Sequence, residues 1–273
     1  MQVVDILDKI FFDKKIELDS IKRKVSLSDV KNHSSNSNYE IRNIRSSLQR
    51  GTRSSIIAEI KPRTPFKGEL LTNGEDPQDI AKIYADNGAS ALSILTESKY
   101  FGGSLSLLEK AREHVSIPLL RKDFIFDEYQ VYEAKAFGAD LFLLIATWLD
   151  KNHLADLLAL GEELGLPALV ETHNEKDLEK AFVAGASILG INNRDLTSGE
   201  TDLNISRRLI PIALQEPDNL LVCESGIHSR NEIQEFEELG ANSFLIGESL
   251  MTAENTGDKL KEFTGDRKVS TTN

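Results

Sequence analysis

Gly138-Ala139-Asp140-Leu141-Phe142-Leu143-Leu144-Ile145-Ala146 joins a helix-ending glycine to a short apolar run. Glycine suits the left-handed turn that ends a helix, and alanine lets the chain enter the next element closely. The run Asp140–Ala146 is long enough for a buried parallel strand and too short for a typical helix. The same doublet returns as Gly88-Ala89, Gly185-Ala186 and Gly240-Ala241, at intervals of roughly 50 residues. Each copy precedes another apolar run, so the period equals two strand–helix units.

The chain holds eight such runs: Ile56–Ile60, Ala91–Thr96, Pro118–Asp123, Asp140–Ala146, Pro167–Thr172, Ile188–Asn193, Leu220–Ser225 and Ser243–Glu248. Helical patterns separate them, among them Asp127–Phe137 and Glu175–Ala184. Alternating strands and helices make parallel crossover units. Eight units at a two-unit repeat predict an α/β fold of the (β/α)8 TIM-barrel type, four quarter-barrels closed on themselves. An open doubly wound sheet is the runner-up, but it does not require eight units.

The 273 residues suit one such barrel, which commonly takes about 250. Residues 1–55 are read as an N-terminal helical extension, with an amphipathic helix over Val3–Ile21 and a polar linker over Asn32–Asn38. Residues 56–263 are the barrel, and Thr264–Asn273 is expected to fray.

Composition excludes several function classes. With 40% hydrophobic and 28% charged residues the chain can bury a sizeable core. A net charge of −12, with no long basic run, argues against nucleic acid or an anionic membrane as partner. Cys223 is the single cysteine, which rules out an intrachain disulfide or a thiolate metal cage. His33, His114, His153, His173 and His228 show no two-ligand helical spacing, so no metal is expected. Neither a leader pattern nor a membrane-length apolar window is found, and a cytoplasmic location is the expectation.

Barrel enzymes work at the C-terminal ends of their strands. On the first strand Ile57, Glu59 and Lys61 share a face by alternation. If that face looks at the axis, the mouth-end partners are Lys122, Glu171, Asn192 and Ser225. A lone Lys or Glu at a strand end is more often a solvated rim residue. Buried charges must find partners, however, so several converging there indicate a site. After the last two strands, Ser225-Gly226-Ile227 and Gly247-Glu248-Ser249 place glycines where backbone N–H groups cradle a phosphate.

At these residues the chain resembles indole-3-glycerol phosphate synthase. The matching segments include Ile57-Ala58-Glu59-Ile60-Lys61, Leu120-Arg121-Lys122-Asp123-Phe124-Ile125, Leu169-Val170-Glu171, Gly190-Ile191-Asn192-Asn193-Arg194-Asp195-Leu196, Glu224-Ser225-Gly226-Ile227 and Leu245-Ile246-Gly247-Glu248-Ser249. The resemblance implies ring closure of 1-(2-carboxyphenylamino)-1-deoxyribulose 5-phosphate with loss of CO2 and water, without a cofactor. It makes Lys122 the general acid, Lys61 the holder of the substrate carboxylate and Glu171 the acid/base of dehydration. Glu59 and Asn192 orient polar groups of the substrate, while Phe101 and Phe124 wall its aromatic ring. Ser225, Gly226, Gly247 and the Glu248 backbone bind phosphate, with Thr64 and Arg194 as further contacts. How Lys61, Lys122 and Glu171 divide the proton transfers stays open. One departure stands out: the family commonly has Ser-Pro-Ser before Lys-Gly, and here Thr64-Pro65-Phe66 precedes Lys67-Gly68. Thr64 keeps a hydroxyl donor; Phe66 has none.

Two other readings fit parts of the pattern. A phosphosugar isomerase or epimerase shares the phosphate cradle, but has no need of Lys122 with Glu59 and Lys61. A non-catalytic phosphate-binding barrel has no need of the mouth charges. The expected assembly is a monomer or weak homodimer.

Overall fold

The computed structural model describes residues 6–49, 51–71, 76–195, 197–216 and 218–265. Eight parallel strands close into a barrel, β1 (Ser55–Ile60), β2 (Ala91–Leu95), β3 (Leu119–Lys122), β4 (Leu141–Ile145), β5 (Ala168–Thr172), β6 (Ile188–Asn192), β7 (Leu220–Glu224) and β8 (Ser243–Ile246). β1 pairs with both β2 and β8, which leaves no open edge. All eight lie where the apolar runs put them.

Three helices precede the barrel: α1 (Ile6–Lys24), α2 (Leu27–Ser35) and α3 (Ile44–Leu48). An outer ring follows, made of α4 (Pro77–Asp86), α5 (Leu105–His114), α6 (Glu128–Ala136), α7 (Lys151–Glu163), α8 (Glu175–Ala184), α9 (Asn204–Ala213) and α10 (Arg230–Leu239), with α11 (Glu248–Met251) and α12 (Thr256–Phe263) after β8. Gly138 and Gly185 take φ of 82° and 86°, the left-handed turn expected of the repeated doublet.

Alternation divides the core in two. Leu92, Ile94, Leu119, Val170, Leu189, Leu221 and Phe244 face the helices, while Ile57, Leu120, Leu143, Leu169, Ile188, Val222 and Leu245 fill the interior. Leu7, Ile10, Phe11, Ile44 and Leu48 belong to that interior cluster. The N-terminal extension therefore closes the barrel at both ends. At the floor, Ser55 donates to the Ser47 carbonyl at 3.0 Å, and Arg42 N–H donates to Asp140, at the start of β4, at 2.6 Å. At the mouth, Phe11 stacks on Trp148 with centroids 4.3 Å apart and meets Phe124 edge-on at 5.4 Å. Such pairs add about 0.5–1.5 kcal/mol each beyond burial. Lys14 is buried beneath them, 3.1 Å from Asp123.

One expectation changes. The polar linker begins later than Asn32, because Ser26 and Asp29 form a capping box that launches α2 as far as Ser35. Trp148, in the loop after β4, stacks on Phe11 of α1. Thr264 is buried and Gly265 accepts a hydrogen bond from Arg230 at 2.9 Å. Residues 266–273 of the segment expected to fray, like residues 3–5 of the expected first helix, lie outside the described residues.

Candidate active site

Two adjoining cavities open at the C-terminal mouth. One has an apolar wall from Leu7, Ile10, Leu95, Phe101, Phe124 and Ile145, and a polar floor from Lys122, Glu171, Asn192 and Glu224. The other is bounded by Gly199, Thr201, Gly226, Ile227, Gly247 and Ser249. Glu59, Lys61, Lys67, Arg194, Ser225 and Glu248 border both. Thr64 lines the first, so every residue singled out from the sequence reaches one cavity or the other.

The floor is an alternating charge network. Lys122 Nζ stands 3.0 Å from Glu171 Oε2 and 2.7 Å from Glu224 Oε2. Lys61 pairs with Glu59, whose other oxygen accepts from Ser93 at 3.3 Å. Burial opposes the Lys122 charge, but Glu171, Glu224 and Glu59 outweigh it and hold the ammonium well above the usual lysine range. Burial likewise disfavours the Glu171 anion, yet Lys122, then His173 and Asn192, keep it ionised far below the usual range. Glu224 goes the other way. Burial raises it, Lys122 only partly offsets this, and repulsion from Glu171 adds to the rise, placing it at about 7. One lysine thus serves two carboxylates of opposite protonation habit, an arrangement that separates an acid from a base.

Glu224 is the residue that the strand-end reading missed. On β7 it shares its face with Val222, which fills the barrel interior, whereas Ser225 has the opposite parity. Ser225 reaches the mouth by another route. Its φ of 66° is left-handed, so the chain turns sharply after Glu224. No local signal marks Glu224, because the inward parity of Val222 is fixed only when the barrel closes. His173 was also passed over: its Nε2 lies 3.3 Å from Glu171 Oε1.

Room for the carboxylates comes from missing side chains. A Cβ on Gly190 would stand 2.0 Å from Glu224 Oε1, and one on Gly247 would stand 2.7 Å from Glu59 Oε1. Gly226, at φ 75°, begins the second cavity's rim and sits against Thr201. Gly247 precedes α11, whose first turn has no side-chain cap. Glu248, expected to act through its backbone, also places its carboxylate against Lys67 and 3.3 Å from Arg194 Nη2. Asn192 Oδ1 accepts from the Arg194 backbone at 3.0 Å, which ties the β6 exit to the same rim.

The loop after β1 folds over this mouth. Thr64 Oγ1 accepts from Lys67 N–H at 2.9 Å, and the Phe66 ring covers Gly199, where a Cβ would come within 2.8 Å of it. Phe66 therefore acts through packing, in keeping with its lack of a hydroxyl.

The comparisons with known proteins agree with this geometry. The family model described as indole-3-glycerol phosphate synthase matches residues 7–263. A protein of that name from Roseiflexus sp. is 42% identical over 266 residues, spanning 95% of this chain and 98% of its own. The one from Campylobacter fetus is 41% identical, covering 96% and 100%, and that of Desulfosudis oleivorans is 48% identical, covering 76% and 78%. Among solved structures, 3-hexulose-6-phosphate synthase from Salmonella typhimurium aligns with TM-score 0.60 at 12% identity, over 77% of this chain and 96% of that one. That last likeness concerns the barrel fold alone. With the family model spanning nearly the whole chain, this protein belongs to the indole-3-glycerol phosphate synthase family.

Proposed function

We propose that the chain closes the indole ring, converting 1-(2-carboxyphenylamino)-1-deoxyribulose 5-phosphate into indole-3-glycerol phosphate, CO2 and water. The observation that carries this reading is Lys122 held between Glu171 and Glu224 on the floor of the apolar cavity, which shares Glu59, Lys61 and Ser225 with the glycine-lined one. The aromatic ring takes the apolar side, between Phe101 and Phe124. The phosphate takes the other side, against the backbone of Ser225, Gly226, Gly247 and Glu248, with Arg194 supplying charge.

Attack of the ring carbon on the substrate ketone builds negative charge on oxygen. Lys122 donates a proton there, a contribution commonly worth about 10²–10⁴ in rate. Lys61 holds the carboxylate that leaves as CO2. Glu59 pairs with Lys61 and fixes its place. Dehydration then needs a base for the ring proton and an acid for the departing hydroxyl. Glu171, ionised beside Lys122, is the base, and Glu224, at about 7, carries the proton that the hydroxyl requires. Asn192 orients the substrate hydroxyls. No helix among the described residues is long and apolar enough to cross a membrane. A cytoplasmic monomer or weak homodimer completes this reading.

The test mixes purified protein with the anilino-ribulose phosphate and follows fluorescence. Indole emission should appear without added metal or nucleotide. Binding without emission would turn the barrel into a phosphate-binding protein.

A further inference from the structure

His173 lies one residue beyond the end of β5, behind Glu171 as seen from Lys122. Its side chain is 11% exposed. Three elements hold the ring. Thr147, after β4, has its Oγ1 3.2 Å from Nδ1. Asp177, in the first turn of α8, has Oδ2 3.8 Å from the same nitrogen. Glu171 Oε1 lies 3.3 Å from Nε2, off the line of an aligned hydrogen bond, and Nε2 has no other partner among the described residues. Asp195, after β6, also lies within electrostatic reach.

The proton positions follow from donor counting. Thr147 spends its one hydroxyl hydrogen on Asp177 Oδ2 at 2.6 Å, so toward His173 it can only accept. Nδ1 must therefore carry a hydrogen. Nε2 then faces a carboxylate oxygen, and two bare lone pairs at that distance would repel. A proton consequently sits between Nε2 and Glu171. Asp177 is itself fixed by Asn174 Nδ2 at 3.1 Å and by the His173 backbone N–H at 3.2 Å. The ring cannot turn away without losing that set.

We infer that His173 is a positioning residue for the reaction, an imidazolium that grips Glu171 Oε1 so that Oε2 stays aimed at Lys122. The inference rests on the reading of Glu171 as the dehydration base. Burial disfavours the His173 charge, but Asp177 and Glu171 outweigh it and lift its pKa to about 9. Of the groups facing it, Glu171, Asp177 and Asp195 are anionic, which is why the charge persists through neutral pH. Glu171 is thus held at both oxygens by cations, one from β3 and one from its own strand exit.

The decisive measurement is ¹⁵N NMR of the His173 ring together with kinetics of two variants. In the wild type Nε2 should stay protonated at pH 7 and titrate near 9. In Glu171→Gln its pKa should drop toward the ordinary histidine value. His173→Leu should lose kcat by about tenfold or more with KM nearly unchanged, because the cation facing Glu171 Oε1 is gone. His173→Gln keeps an N–H donor but cannot titrate. It should recover activity to within a few-fold and lack the decline in kcat expected of the wild type as pH rises through 9.

A neutral Nε2 at pH 7 overturns the inference, and so does His173→Leu with unchanged kcat. Equal damage from Leu and Gln would mean that packing rather than the donor matters, and overturns it as well. The NMR arm needs no turnover, so a wild type that makes no indole product refutes the functional reading separately.

Discussion

Gly190 on β6 and Glu224 on β7 share one volume: a Cβ at Gly190 would lie 2.0 Å from Glu224 Oε1. The carboxylate lies where residue 190 would otherwise carry its side chain. Gly190→Ala should therefore push Glu224 off Lys122. A displacement of about 1 Å at such a site commonly costs about 10²-fold in rate, so kcat should fall by that order while phosphate binding persists. Full activity in Gly190→Ala would show that the carboxylate has another place to go.

Glu224 also leaves a mark on stability. Its carboxyl titrates at about 7 in the folded chain against 4.5 ordinarily. Between those values the native state keeps a proton that the unfolded state has released, so stability falls as pH rises through the window. Glu224→Gln has no such loss. Its melting temperature relative to wild type should climb from pH 4.5 to 7 and level off above. Parallel melting curves across that range would contradict the assignment.

Lys122 balances three carboxylates: Glu171, Glu224 and Glu59. Lys122→Met should lower kcat by about 10²–10⁴ if the ammonium is the general acid. It should also destabilise the fold by about 3–5 kcal/mol near pH 8, because the remaining charges lose their counter-ion. The destabilisation should shrink toward pH 5 as the carboxyls take up protons. Calorimetry at both pH values checks the sign.

Glu171→Gln separates binding from dehydration. The amide keeps the shape of the side chain but cannot accept a ring proton. Substrate or product affinity should change little, while CO2 release without indole formation marks a stalled intermediate. Indole production at the wild-type rate would remove Glu171 from the chemistry.

Lys14 links α1 to Asp123, next in sequence to Lys122, through the 3.1 Å pair beneath Phe11. Lys14→Met should loosen α1 from the mouth, where Leu7 and Ile10 line the apolar cavity. KM should rise more than kcat falls, and proteolysis within α1 should accelerate. A kcat loss with unchanged KM would point instead to disturbance of Lys122.

The barrel was legible in the chain itself. Apolar runs bounded by Gly-Ala doublets specify strand positions because a doubly buried strand must be apolar on both faces, and such runs differ from helices in length alone. Strand β1 even displayed its own parity, since Glu59 and Lys61 alternate with Ala58 and Ile60. On β7 the same uniformity hid the answer. Leu220-Leu221-Val222-Cys223 is apolar on both faces, so nothing local says whether Glu224 or Ser225 looks inward. Only closure of the sheet decided that, by placing Val222 in the interior and Glu224 two residues above it. The contacts of Trp148 with Phe11 and of Lys14 with Asp123 likewise join segments whose proximity no local pattern encodes. Sequence determines which side chains are available and in what rhythm. The closed barrel determines which of them meet, because partners on different strands become neighbours only once every strand has taken its register.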